Sequence, residues 1–391
     1  MNASQTPPAA TVEIRPVSGA KQRAAFVDLG RRFAANTPNH VPQLRREQLE
    51  LVDPNKNPFF AHARVQFFIA YRGETPVGRI SAHIDEVALQ QPAEQGFGPG
   101  TGMFGYFDAD DANVAGALLS QAEAWLSHEG MTRVLGPISL SIWEEPGLLV
   151  HGQDHAPMIM MGQHPAHYAG WIEESGYSRA KTLLTYELNI TKPFPPLVQR
   201  IVASGYRNER LVMRQPDMKN LEKDWRAVLG ILNDAWSSNW GFVPFTEAEI
   251  QYAAKKMKPI IFPGLNRIIE RDGEPVAFML VFPDINRLLA RIDGRLLPFG
   301  WARLLHWLRK PKPADVRVPL MGVVKAHQNS RLASQMAFMM ISDIRDVTLA
   351  EFGGERAEIG WILEDNQGMV AIADTIGASA NREYAIYERA L

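Results

Sequence analysis

Short apolar-rich runs and longer amphipathic stretches alternate along the chain, in an order that occurs twice. In the first half, residues 65–71 (VQFFIAY) and 76–84 (PVGRISAHI) have strand length and flank Arg72, Gly73 and Glu74. That pattern predicts strand, tight turn, strand. Upstream, residues 11–15 predict a strand and 20–35 a helix. Downstream, Asp108, Asp110 and Asp111 offer N-cap carboxylates to an amphipathic helix through Ala122, Trp125 and Leu126 that stops at Gly130. Residues 133–135 predict the next strand.

The second half repeats the succession. A helix is predicted over 220–236, then strand, turn and strand over 267–270, 271–273 and 275–282. After an interruption come strand 317–324, helix 330–345, strand 357–363, helix 367–376 and a last strand 384–388. The repeated order predicts a degenerate duplication, and the alternation of strands and helices predicts α/β layers. We expect a disordered lead over 1–10, a first lobe over 11–190, a linker over 191–208 marked by prolines at 193, 195 and 196, and a second lobe over 209–391. Residues 287–315 form an insertion in the second lobe.

Composition removes several classes of chemistry. The chain of 391 residues has no cysteine, so disulfides, thiolate metal sites, iron–sulfur clusters and cysteine nucleophiles are excluded. A formal net charge of −2 gives no reason to expect a nucleic-acid partner. No apolar run reaches the length of a membrane span, and the N-terminus lacks a signal-peptide core, so a soluble cytoplasmic protein is expected.

The richest segment is VPLMGVVKAHQNSRLASQMAFMMI, residues 318–341. A strand enters a polar loop and then a long helix, whose free first-turn N–H groups and positive dipole end suit a phosphate. In the first half the equivalent place holds Asp108, Asp110 and Asp111, which repel one, so a phosphate-bearing ligand is expected on the second lobe rather than the first. Glu144 and Glu145 interrupt an apolar run over 138–150, where a carboxylate is costly without a task. Glu364 and Asp365 end a strand of the second half, and Tyr384 and Tyr387 sit in the last one. NDAWSSNWGF, residues 233–242, brings Trp236, Asn239 and Trp240, suited to lining an acyl tunnel or to plain packing. Residues 287–311 combine leucines, Phe299, Trp301 and Trp307 with arginines, which fits a membrane interface, a lid over an acyl chain, or a helical hairpin packed on the core.

The segments 318–341 and 358–378 together resemble the GNAT acetyltransferases, which follow a strand with a Q/R-x-x-G-x-G/A pyrophosphate loop and a helix. The loop matches as Gln328, Asn329, Ser330, Arg331, Leu332 and Ala333, with Arg331 where the family has glycine. Either Arg331 grips the phosphates by charge or the carrier is held differently. The resemblance implies that Val323 or Val324 offers a backbone N–H to a thioester carbonyl, and that Asn366 orders the splayed strand ends. It also implies a base for the attacking amine, for which Glu144 or Glu145 is the first choice and Glu364 the next. Tyr387 or Tyr384 would protonate the leaving thiolate.

Over residues 12–391 the chain also resembles a bacterial two-lobed GNAT-like N-acyltransferase family that includes the bacterial ceramide synthases. DPNKNPFF (53–60), PVGRISAHID (76–85), GPISLSIWEEPGLLVHG (136–152), NDAWSSNWGFVP (233–244), GRLLPFGW (294–301), VPLMGV (318–323) and WILEDN (361–366) carry that likeness. It implies two tandem GNAT-like lobes, the first degenerate and supplying acceptor contacts, the second holding the acyl donor, and transfer of a long-chain acyl group from a thioester of coenzyme A or acyl carrier protein to the amine of a sphingoid base. No metal is implied, and the inner-membrane surface is an expected partner. Two rival readings are an acetyltransferase for a small amine and a non-catalytic acyl-CoA-binding module. Residues 100–105 spell G-x-G-x-x-G but precede a strand, so the dinucleotide reading fails. His151 and His155 surround Gly152, which argues for a loop rather than a helical metal site, and His164 and His167, on either side of Pro165, remain further candidate bases in the acceptor cleft.

Overall fold

The structure, a computed structural model, describes residues 11–391 apart from Asn329. The expected lead over 1–10 and Asn329 of the phosphate loop therefore lie outside the described residues. The first half contains β1 (Val12–Pro16), α1 (Gly19–Ala35), α2 (Arg45–Leu51), β2 (Ala63–Arg72), β3 (Thr75–Asp85), β4 (Thr101–Ala109), α3 (Ala112–His128), β5 (Arg133–Gly136), β6 (Leu148–His151), α4 (His167–Glu174) and β7 (Ser178–Asn189). The second contains α5 (Pro196–Tyr206), β8 (Leu211–Arg214), α6 (Leu221–Trp236), α7 (Glu247–Met257), β9 (Arg267–Arg271), β10 (Glu274–Pro283), α8 (Asn286–Arg291), α9 (Gly300–Arg309), β11 (Val316–Val323), α10 (Lys325–Gln328), α11 (Arg331–Val347), β12 (Arg356–Leu363), α12 (Gln367–Ile376) and β13 (Ser379–Ala390).

The strands join one mixed sheet in the order β1-β2-β3-β4-β5-β13-β7-β12-β11-β10-β9-β8, with β6 also on β13. Period-2 side-chain alternation explains why helices cover both faces. On β2, Phe67 and Ile69 pack with Phe26, Val27 and Leu29 of α1, while Phe68 and Ala70 pack with Val114 and Leu118 of α3. On β10, Phe278, Leu280 and Phe282 meet Trp225, Leu229 and Leu232 of α6, while Ala277, Met279 and Val281 meet Met336, Met340 and Ile344 of α11. Each half is thus a helix–sheet–helix sandwich of the same plan.

The halves exchange their last strands. β7 pairs antiparallel with β12 of the second half, β13 pairs antiparallel with β5 of the first, and β7 and β13 pair with each other through Tyr384 opposite Leu183. The segment expected as a linker, 191–208, carries α5, whose Val198, Val202 and Gly205 are buried against α11. Its prolines did not keep it loose, because Pro196 stands in the first turn, where a missing N–H costs nothing.

A polar contact adds to this coupling. His62 Nδ1 lies 3.0 Å from Asp85 Oδ1, and its Nε2 lies 3.3 Å from Glu249 Oε1 on α7. The hydrogen bonds to Asp85 and Glu249 push the imidazole up to about 10. A raised folded-state value means the contact stabilises fully below the ordinary histidine value, and the contribution is lost as pH rises through the folded one. We therefore expect denaturant midpoints to fall between about pH 6.5 and pH 10 in the native protein. His62→Gln should flatten that slope, and an unchanged slope would discount the contact.

Candidate active site

β11 and β12 run parallel only from Val316 opposite Ala357 to Val318 opposite Ile359, and then separate. Beyond that point one edge of β11 faces open space. Val324 donates its N–H to Val276 O (3.0 Å), which makes these two a hydrogen-bonded pair. Alternation along the ladder turns the Val323 and Met321 N–H groups away from β10, toward the opening. Of the two valines expected to serve a thioester carbonyl, Val324 is therefore committed to the sheet, and Met321 shares with Val323 an N–H that faces the opening. Two carbonyls here already have partners: Gln328 Nε2 donates to Val323 O (2.9 Å) and Trp236 Nε1 to Met321 O (3.3 Å). Gln328 thus holds the strand end rather than offering itself outward.

At the start of α11, Ser330 makes no side-chain cap, its hydroxyl donating instead to His327 O (2.6 Å). Arg331 is exposed at the first helical position, with Leu332 and Ala333 partly buried after it. In the segment that leads into this helix, Lys325 Nζ lies 2.7 Å from Ser237 Oγ, the Lys325 backbone N–H donates to Asp234 Oδ2 (2.6 Å), and Arg271 Nη1 lies 3.1 Å from His327 Nε2. The matching place in the first half is closed: Asp111 caps α3 by accepting the Val114 N–H (3.0 Å) and pairs with Arg72 (2.7 Å). The first turn of α11 is left without a side-chain cap, whereas a carboxylate of the chain itself fills the equivalent place at α3.

The opening between β11 and β12 leads into a cavity of about 180 Å³. Trp236, Asn239, Trp240, Phe242 and Phe245 line it, with Asn366, whose Oδ1 accepts the Met369 N–H (3.1 Å) and caps α12. The first half contributes Ile142, Trp143, Met160 and Leu183. Trp143 stacks on Phe245 (4.4 Å between ring centroids) and Trp236 (5.9 Å), and donates Nε1–H to Val243 O (2.9 Å). Trp301, expected among these aromatics, is instead exposed on α9, because Leu304 and Trp307 supply the buried side of that helix.

A second cavity, of about 270 Å³, occupies the equivalent splay of the first half, where β4 and β5 part beyond Met103 opposite Leu135. Its walls are polar: Glu47, Arg79, Tyr106, Asp108, Glu144, Glu145 and His164. Gly105 lets the chain after β5 cross β4 here, since an added Cβ would lie 2.1 Å from Ile138 O. Tyr106 (φ 46°), Leu140 (φ 72°) and Met160 (φ 60°) hold left-handed backbone around this cavity, a cost that a fold concentrates at working sites. Arg79 donates to its cross-strand partner Asp108 (2.7 Å) in the wall.

The two expected acids have different surroundings. Leu149 N–H donates to His164 Nδ1 (3.1 Å), which leaves the ring proton on Nε2, facing Glu145 Oε1 at 3.3 Å. Burial raises the Glu145 carboxyl, but the His164 hydrogen bond and the charges of His164 and Arg79 outweigh it and hold the group below the ordinary range. Glu144 lines the cavity with its side chain exposed to the cavity space and crowded by the surrounding protein. Burial pushes it up, Lys256 opposes this, and Glu145 and Glu249 add to the rise. Neighbouring carboxyls whose values are driven apart are a mark of divided acid–base labour. The wall between the cavities is thin: Trp143 faces one and Glu144 the other, and Met160 lines both.

Four expected residues lie elsewhere. Glu364 is exposed and accepts the Thr182 N–H (3.2 Å), while Asp365 pairs with Lys181. Tyr387 is buried in the first-half core, its hydroxyl donating to Glu173 (3.2 Å), because strand exchange carries β13 across to β5. Tyr384 is also buried and donates to Gly162 O (2.9 Å). Sequence reading missed Met160, Arg79 and Glu47, which reach the site from distant segments without a local motif. Among the described residues no group of three or more His, Asp or Glu side chains is arranged to hold a metal ion.

No family model matches the chain. A bacterial ceramide synthase from Caulobacter vibrioides (strain NA1000 / CB15N) is 40% identical over 383 residues, covering 98% of each chain. The chain belongs to the two-lobed GNAT-like N-acyltransferase family that includes the bacterial ceramide synthases. Protein YghO of Escherichia coli (strain K12) is 35% identical over 367 residues, covering 93% of this chain and 92% of that protein. Among solved structures, a tandem GNAT protein from the clavulanic acid biosynthesis pathway superposes with a TM-score of 0.56 at 12% identity, over 97% of this chain and 98% of that one. A GCN5-related glucosamine N-acetyltransferase region of a fungal multi-domain enzyme gives 0.57 at 10% identity, over 99% of this chain and 39% of that one. These two likenesses are of fold. Family and fold together make this member of the ceramide synthase family an N-acyltransferase built on tandem GNAT lobes.

Proposed function

We propose that the protein transfers a long-chain acyl group from acyl-CoA to the amine of a sphingoid base. One observation carries the reading: an apolar, aromatic cavity at the second-half splay and a carboxylate-lined cavity at the first-half splay share one thin wall. The thioester lies in the former, its carbonyl oxygen receiving N–H bonds from Val323 and Met321, which stabilise the charge that develops there. The coenzyme phosphates sit at the α11 N-terminus, where Arg331 adds charge in place of the close approach that glycine allows. The acceptor enters the second cavity as an ammonium ion, attracted by Glu144 and Glu145.

Glu144 then takes a proton from the ammonium, and, as Trp143 and Met160 of the shared wall move aside, the free amine attacks the thioester carbon. A C–N bond forms and the C–S bond breaks; the second proton lost by the nitrogen goes to the departing thiolate, giving an amide and a thiol with no acyl group passing to the enzyme. Glu145, held by His164, keeps its charge and steers the ammonium. The name of the Caulobacter relative supports the sphingoid base as acceptor.

The test is purified protein with sphinganine and acyl-CoAs from acetyl to stearoyl, read by free-thiol release and product mass. N-acyl sphinganine from the long chains is the expected result. Product from acetyl-CoA alone would replace the lipid reading with small-molecule acetylation. Donor binding without any product would leave only a binding role.

A further inference from the structure

α8, α9 and the loop between them form an insertion whose inner side is accounted for. Leu289 and Ile292 are buried, and Leu296, Leu304 and Trp307 pack on the same second-half core. The outer side is not. Leu297 is 79% exposed, Phe299 72%, Trp301 52% and Leu305 44%, all within nine residues. Trp301 and Leu305 are one helical turn apart, and Trp301 donates Nε1–H to Pro298 O (3.1 Å), which folds it over the loop carrying Leu297 and Phe299. Large apolar side chains gathered in water in this way mark a surface made for a partner.

The charges around the patch indicate which partner. Arg291, Arg295, Arg303, Arg309 and Lys310 are exposed in the same segment. Arg295 pairs with Asp293 (3.2 Å), and among the described residues none of the other four has an acidic partner within ion-pair distance. An apolar tip ringed by unneutralised cations complements an anionic bilayer, where the rings enter the headgroup boundary and the arginines meet phosphates. Among the described residues no helix is long and apolar enough to cross a membrane, so the contact is with the surface. The base of the insertion rests on the first-half cavity: a Cβ on Gly294 would lie 2.7 Å from Gln43 O, and Gln43, Val41 and His40 line that cavity.

We propose that residues 297–305 dock the protein on an anionic phospholipid surface and hold the carboxylate-lined cavity near it. The use of that placement, taking a single-chain amine from the bilayer, rests on the function proposed above, whereas the docking itself does not. The experiment therefore omits substrate. Full-length protein is sedimented with vesicles of phosphatidylcholine alone and of phosphatidylcholine with phosphatidylglycerol. Binding should require phosphatidylglycerol, fall with added salt, and drop at least about tenfold in Leu297→Ser/Phe299→Ser. That variant should melt at the temperature of the native protein, because neither side chain is part of the core.

A blue shift of tryptophan emission on vesicle addition, absent in Trp301→Phe, would place the patch itself in the interface. Equal binding to both vesicles overturns the proposal, as does binding that the double variant leaves intact. Failure to bind any vesicle, with a concentration-dependent dimer that Phe299→Ser dissolves, overturns it in favour of self-association through this face.

Discussion

Glu144→Gln is expected to lower kcat by about 10²–10⁴-fold while changing the acyl-CoA KM little, since a positioned general base contributes about that much. Glutamine keeps the length and polarity of the side chain and removes only its ability to accept the amine proton. The pH dependence separates this role from simple electrostatic attraction. Burial holds the Glu144 carboxyl above the ordinary carboxylate range, and only its ionised form is a base, so kcat/KM should rise with pH through that elevated value. In Glu144→Gln that acid limb should disappear. In Glu145→Gln it should persist and shift downward, because the like charge that helps keep Glu144 protonated is gone. If Glu145→Gln instead abolishes the limb and Glu144→Gln retains it, the two roles are reversed.

The two acids were legible in the sequence as a pair, because carboxylates inside the apolar run 138–150 are anomalous by composition alone. What distinguishes them was not, since His164 reaches Glu145 from a separate loop and Glu249 approaches from α7 in the other half. The duplicated order of elements was legible for a similar reason. Phe67 and Phe68, or Phe278 and Met279, are neighbours that bury on opposite faces, and such double-sided strands leave a dense apolar signature. Strand exchange leaves none. A β7 that pairs with β5 and one that pairs with β12 have the same alternation, so Tyr387 was assigned to the wrong half of the molecule. For Trp301 the choice between an acyl-chain contact and a membrane contact was open, because aromatic content alone does not say which side of an amphipathic helix is already satisfied.

Replacing Arg317 should have the largest effect on stability, because this one side chain fastens the loop that separates the cavities. It is 1% exposed on β11, and its guanidinium donates to Ile159 O (2.6 Å), Met160 O and Gly360 O (3.2 Å), lying 4.7 Å from the Trp361 ring centre. Burial pulls the group down to about 10, which leaves it charged at neutral pH. Arg317→Met fills most of the volume and leaves three inward carbonyls without their donor, each worth about 1–3 kcal/mol when orphaned. The loss read from denaturant midpoints should therefore reach at least about 3 kcal/mol. Arg317→Lys should recover part of it, since an ammonium reaches some of these oxygens but lacks the planar fork. Met160 would then relax from its left-handed conformation, and turnover should fall further than the fraction folded, because the residue lining both cavities has moved. The loop keeps two other ties to the second half, Ile159 N–H to Asp284 Oδ1 (3.0 Å) and Asn286 Nδ2 to Pro157 O (2.8 Å). If Arg317→Met proves as stable as the native protein, those two bonds suffice, and Asp284→Ala becomes the substitution that should detach the wall.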